Sequence, residues 1–136
     1  MIVVDTNVIQ YCWVRGQHTE LAQAVRQSDP DWHVPILWRS EMRNILTAYL
    51  RRGLLSRQQI VAILNAAGEA LAEGEHFVGD DLVLDVIATS ALTAYDGEFV
   101  ALANALSVPL VTADNAVLKA FPERALTMET FLKTSR

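Results

Sequence analysis

Apolar and polar positions follow one another along this chain in two rhythms. Short, largely apolar runs predict strands at Ile2 to Val4, His33 to Leu37, His76 to Val78, Pro109 to Thr112 and Ala125 to Thr127. Between them the apolar residues recur at helical spacing. Leu21, Ala24 and Val25 share a face in "TELAQAVRQ". Met42, Ile45, Leu46 and Tyr49 do so in "RSEMRNILTAYLRRG", with Gly53 as a stop. Ser56 is placed to cap a further helix whose stripe is Ile60, Ile63, Leu64, Ala67 and Leu71. "DLVLDVIATSAL", "GEFVALANAL", "NAVLKAF" and "METFLK" predict four more helices.

Strands alternating with helices of this length require crossover connections and a mostly parallel sheet. Apolar strands without alternation fit a sheet covered on both faces. The expected fold is therefore a three-layer α/β/α sandwich around a short, mostly parallel five-stranded sheet. The 136 residues suit one domain, 1–136, and contain no repeat, low-complexity stretch or linker.

Ligands of such sheets bind beyond the carboxyl ends of the strands, near a switch in strand order. Asp5 follows the first strand, and Asp114 follows "PLVT" in the same way. Glu41 and Asp96 open two helices, where backbone amides favour negative charge. Each acid alone has an ordinary explanation. Asp5, Asp96 and Asp114 are residues that cap helices, and Glu41 suits a solvated first turn. Together they acquire a second one. Carboxylates gathered at one sheet edge repel each other, and a hard divalent cation with oxygen ligands relieves that repulsion.

Composition narrows the chemistry. The net charge is −5, and the isoelectric point is about 5.1. A surface that holds long nucleic acids by neutralising phosphates is excluded, so any such role needs a local site in which metal ions supply positive charge. The single cysteine, Cys12, excludes an internal disulfide and a multi-cysteine zinc site. His18, His33 and His76 lack helical ligand spacing, which disfavours zinc. No "GxSxG" elbow supports a Ser-His-Asp arrangement, and the lack of "GxGxxG" and of a P-loop disfavours NAD and ATP. The N-terminus does not resemble a signal peptide, and no apolar run is long enough to span a bilayer, so a cytoplasmic protein is expected. Arg39 and Arg43 flank Glu41, and one of them is placed to meet a phosphate. Asp80 and Asp81 suit a first turn, and Asp85 suits solvent. Trp13, Trp32 and Trp38 suit core or interface positions.

Four segments in register also carry a family likeness. Asp5-Thr6-Asn7, Glu41 with Asn44 in "EMRNIL", "AYDGEFVALA" and "LVTADNAVLKAFP" resemble the PIN-domain ribonucleases, above all the toxin members of VapBC toxin–antitoxin pairs. The resemblance covers almost the whole chain. It implies that Asp5, Glu41, Asp96 and Asp114 form an acidic catalytic and metal-binding cluster. It implies hydrogen-bonding support from Thr6, Asn7, Asn44 and Thr112, as oriented carboxylates require. It further implies Mg²⁺ or Mn²⁺ as cofactor, cleavage of single-stranded or looped RNA, a homodimer and a cognate antitoxin protein. Dimer contacts are expected near Tyr11 and Trp13 and from Leu54 to Leu64. Gly97 and Phe99 depart from the usual alanine and tyrosine, and Asn115 and Ala116 stand where many relatives are basic. Two rival readings are an inactive PIN-like scaffold that binds RNA or a protein, and an aspartate-based phosphatase. The phosphatase of the haloacid-dehalogenase type needs a second aspartate two residues after the first, where this chain has Asn7.

Overall fold

The computed structural model describes residues 1–135. Five strands form one sheet: β1 (Ile2–Val4), β2 (Trp32–Pro35), β3 (Glu75–His76), β4 (Leu110–Val111) and β5 (Ala125–Leu126). All neighbouring pairs are parallel, and the strand order is β3-β2-β1-β4-β5. The α-helices are α1 (Thr6–Trp13), α2 (Thr19–Ser28), α3 (Trp38–Arg51), α4 (Arg57–Leu71), α5 (Asp80–Ala88), α6 (Ala94–Leu106), α7 (Asn115–Ala120) and α8 (Met128–Thr134). A 3₁₀ turn at Ala72–Gly74 leads into β3.

Central strand β1 is buried at all three positions, Ile2, Val3 and Val4, because helices cover both faces of the sheet. Right-handed crossovers put α1 to α4 on one face and α5 to α7 on the other. In keeping with this, α1 packs on α2, α3 and α4, while α5 packs on α6. The α5–α6 contact is close at Gly97, where a Cβ would lie 3.0 Å from Ile87 Cγ2. A second close approach joins the 3₁₀ turn to β2. A Cβ on Gly74 would fall 2.0 Å from the Trp32 carbonyl oxygen, so only glycine fits there.

Strand β1 spans its apolar run in full; the other four are shorter than theirs, and their boundaries have local causes. Strand β2 starts at Trp32 and stops at Pro35, since the chain turns through Ile36 and Leu37 into α3. Strand β3 is Glu75–His76 rather than 76–78, and Phe77 beyond it is 89% exposed. Strand β4 is Leu110–Val111; Thr112 follows it, its N still donating to Leu126 O at 3.0 Å while its hydroxyl accepts from the Asp114 amide. Thr127 leaves β5 to cap α8, accepting from Thr130 N. Helix punctuation matches its residues more closely. Ser56 and Gln59 form a reciprocal capping box on α4. Gly53, at φ 70°, takes the left-handed turn after α3.

Strand order sets up the site. The chain leaves β1 towards β2 on one side, and β4 later joins β1 on the other. The carboxyl ends of β1 and β4 therefore border the switch point. Asp5 is the first residue past β1, and Thr112 is the first past β4.

Candidate functional site

Four elements deliver a carboxylate to this edge. Asp5 caps α1, and its Oδ1 accepts from Thr6 N at 2.8 Å. Glu41 lies in the first turn of α3. Asp96 lies in the first turn of α6; Thr93, not Asp96, is the cap there. Asp114 caps α7, accepting from Ala116 N at 2.9 Å. All four line one cavity of about 440 Å³, together with Thr6, Asn7, Leu37, Ser40, Asn44, Ile45 and Tyr95.

Hydroxyls and amides join the acids. Thr6 Oγ1 donates to Glu41 Oε1 at 2.7 Å. Thr112 Oγ1 donates to Asp5 Oδ2 at 2.7 Å and accepts from Asp114 N at 3.0 Å. Asn7 Oδ1 accepts from Ala113 N at 3.2 Å, tying α1 to the loop after β4. This bond gives Asn7 a use at the position where an aspartate phosphatase needs an acid. Asn44 lines the cavity one turn beyond Glu41.

Burial and mutual charge act on the acids in one direction. Asp5 is only 7% exposed, and its pKa is pushed up from 3.8 to about 6. Desolvation is the main cause; hydrogen bonds from Thr112 and Thr6 oppose it, and the charges of Glu41 and Asp96 add to it. Glu41 is raised by burial and by the Asp96 charge, against its bond from Thr6. Asp96 is raised by burial and by the Asp114 charge, against Thr93. Glu98 is raised by burial and by the Glu41 charge, so a fifth acid feels the cluster without lining the cavity.

A hard divalent cation suits this donor set in chemistry, because every donor is an oxygen and the acids are held against their own repulsion. As the side chains lie, no three His, Cys, Asp or Glu among the described residues are gathered closely enough to hold a metal ion. Thr6, Thr112 and the helix amides hold the Asp5, Glu41 and Asp114 carboxylates in these positions.

The arginines are elsewhere. Arg39 Nε and Nη2 donate to the Glu75 carboxylate at 2.6 and 2.9 Å, and Trp38 Nε1 donates to the same group at 2.8 Å. Arg43 lines a separate cavity beside Val61, Leu64 and Asn65 of α4. The expectation that one of them meets a phosphate at Glu41 is corrected: on α3 they occupy a face turned towards α4. Among the described residues, none lining the acidic cavity is basic.

Other sequence candidates settle as follows. Asp80 and Asp81 fall in the first turn of α5, and Asp85 is exposed. Trp32 and Trp38 are core, whereas Trp13 is half-buried, edge-on to Trp32 and under Arg26. Cys12 is buried, and burial raises its thiol pKa. His33 Nδ1 lies 2.8 Å from His76 Nε2, with His33 Nε2 2.8 Å from Asp31 Oδ1. Linear spacing misses that pair because it forms across two strands.

Sequence reasoning also missed Leu37, Ser40, Ile45 and Tyr95. The first three were detectable, since 37, 40, 41, 44 and 45 share one face of α3. Tyr95 was passed over although it directly precedes Asp96.

A parallel α/β sheet with acids converging at its switch point defines an α/β protein with an acidic pocket. The PIN domain family profile matches residues 2–123, and the chain belongs to that family. It is 27% identical over 124 residues to Ribonuclease VapC3 of Pyrobaculum aerophilum, covering 89% of this chain and 95% of that protein. Its fold is shared with FitAcB from Neisseria gonorrhoeae at a TM-score of 0.73, 20% identity, and coverage of 95% and 99% of the two chains. PAE2754 from P. aerophilum aligns at 0.68, with 21% identity and coverage of 98% and 95%. No helix among the described residues is long and apolar enough to cross a membrane.

Proposed function

We propose that this PIN-domain protein is a Mg²⁺- or Mn²⁺-dependent endoribonuclease, the toxin of a type II toxin–antitoxin pair. One observation carries the reading: acids from four separate elements, Asp5, Glu41, Asp96 and Asp114, line a single cavity at the switch point. The likeness to a protein named Ribonuclease VapC3 supports RNA as substrate. The reading includes a cognate antitoxin, a homodimer and a cytoplasmic place of action. Exposed Leu50, Leu54 and Val61, around the α3–α4 turn, support a partner or a second copy there.

Asp5, Glu41, Asp96 and Asp114 would hold the cation. When bound, it supplies Lewis-acid stabilisation of charge on the phosphodiester and activation of water. The chain's own residues do the positioning. Thr112 fixes Asp5 against the loop that carries Asp114. Thr6 fixes Glu41. The helix amides at Asp5 and Asp114 keep those carboxylates oriented. Cleavage by hydrolysis leaves a 5′-phosphate on one product.

The test is cleavage of an unstructured RNA with Mg²⁺ or Mn²⁺, comparing the wild type with Asp96→Asn. Loss of several kcal/mol of transition-state stabilisation predicts a fall of roughly a hundredfold or more. The melting temperature should be kept. Asp96→Asn cleaving at the wild-type rate overturns the assignment.

A further inference from the structure

The acidic cavity has a second wall. Leu37 and Ile45 of α3 and Tyr95 of α6 line it beside the carboxylates. Tyr95 is 63% exposed, an unusual position for a large ring with no aromatic partner. It sits in the first turn of α6, next to Asp96 in sequence.

A site that held only a cation would have no use for this wall. With four carboxylates and an apolar wall, a cavity of about 440 Å³ lies in the range of small-ligand sites, roughly 300–1,000 Å³. It matches a nucleotide, whose phosphate is hard and anionic and whose base is flat and apolar on its faces. Binding energy must also come from somewhere other than cationic side chains. Arg39 is clamped to Glu75, Arg43 faces α4, and among the described residues no basic one lines the cavity. Beside the cation, stacking on an aromatic ring is a strong source, and it needs no charge.

We infer that Tyr95 is the base-stacking residue of the site: an unpaired nucleotide beside the scissile phosphate lays its base on the Tyr95 ring, against Leu37 and Ile45. This inference rests on the ribonuclease reading for its substrate. Stacking takes the base out of a helix, so paired RNA is a poor ligand. The ring matters and the hydroxyl does not, because no hydrogen bond to that hydroxyl is needed. With few phosphate contacts from side chains, affinity depends only shallowly on salt.

Affinity for an unstructured RNA is measured on the full chain by fluorescence anisotropy, with Ca²⁺ in place of Mg²⁺. A second RNA series carries one abasic position walked along the strand. Tyr95→Ala is expected to weaken binding about tenfold, as one lost base–aromatic stack does, while Tyr95→Phe keeps it. One abasic position should cost the wild type a similar factor and cost Tyr95→Ala nothing further, which is the coupling a direct contact requires. Unchanged binding by Tyr95→Ala overturns the inference, as does an abasic penalty that persists in that variant. In parallel, Mg²⁺-dependent cleavage by the wild type tests the parent reading. RNA binding through Tyr95 without cleavage sinks the nuclease and leaves the stacking site standing. Cleavage with a KM indifferent to Tyr95→Ala does the reverse.

Discussion

Thr112 and Asp5 are 107 positions apart in sequence and joined by a 2.7 Å hydrogen bond. The same Thr112 oxygen accepts from Asp114 N, so one buried hydroxyl ties the end of β1 to the turn that carries the last acid. Thr112→Val keeps the shape and removes both bonds. A hydrogen bond to a charged group is worth about 1.5–3 kcal/mol, so urea unfolding at pH 7.5 should show a loss of about 2 kcal/mol. Thr112→Ser should recover most of it. A valine variant as stable as the wild type would show that the link carries no energy.

Asp5 makes stability depend on pH in a defined direction. Its pKa of about 6 in the folded protein lies above the ordinary 3.8, so the folded chain keeps a proton that the unfolded chain releases. The stability from this group is fully present below the unfolded value and is lost as pH rises through about 6. The full loss is about 3 kcal/mol. In metal-free buffer, the stability of the wild type relative to Asp5→Asn should therefore fall by about 2.5 kcal/mol, most of that amount, between pH 4 and pH 7.5. A difference that stays constant over this range contradicts the burial account.

A cation that binds the folded acids stabilises them by mass action. Adding Mn²⁺ at about a hundred times its Kd should add about 2.7 kcal/mol to unfolding. Asp96→Asn should lose most of that gain while keeping its metal-free melting temperature. Equal gains in both proteins would place the ion elsewhere.

Glu75 behaves in the opposite sense to Asp5. The Arg39 hydrogen bonds hold its carboxyl below the usual 4.5, against some burial, with Trp38 helping. Its stabilisation is present above the ordinary value and lost as pH falls through the lower folded one. Glu75→Gln should cost about 1–2 kcal/mol at pH 7, a figure reduced for the partial exposure of Arg39. That cost should shrink towards pH 3. Arg39→Lys should leave RNA cleavage near the wild-type rate, because the guanidinium is committed to Glu75. A large loss of cleavage would return Arg39 to the site.

The sheet was legible because its signal is local. Ile2 to Val4 is apolar without alternation, and it forms the buried central strand. Convergence of the acids could be reasoned from strand ends and a switch in order, which need only topology. Side-chain direction could not. Arg39 lies two residues from Glu41 and points to a different helix, a difference set by the angular step along α3 and by Glu75 arriving from β3. The His33–His76 pair was hidden for the same reason: its contact exists only through the β2–β3 register. Tyr95 was overlooked because an aromatic next to a helix start reads as ordinary packing until its exposure is known.

Strand order also imposes a sequence in time. β4 inserts beside β1, although β2 and β3 are made before it. Until β4 and the turn after it have left the ribosome and docked, Asp5 has no Thr112 and the pocket has no Asp114. A nascent chain or a product of early termination that stops short of Asp114 would therefore lack the assembled pocket, and nothing made before that residue can complete it.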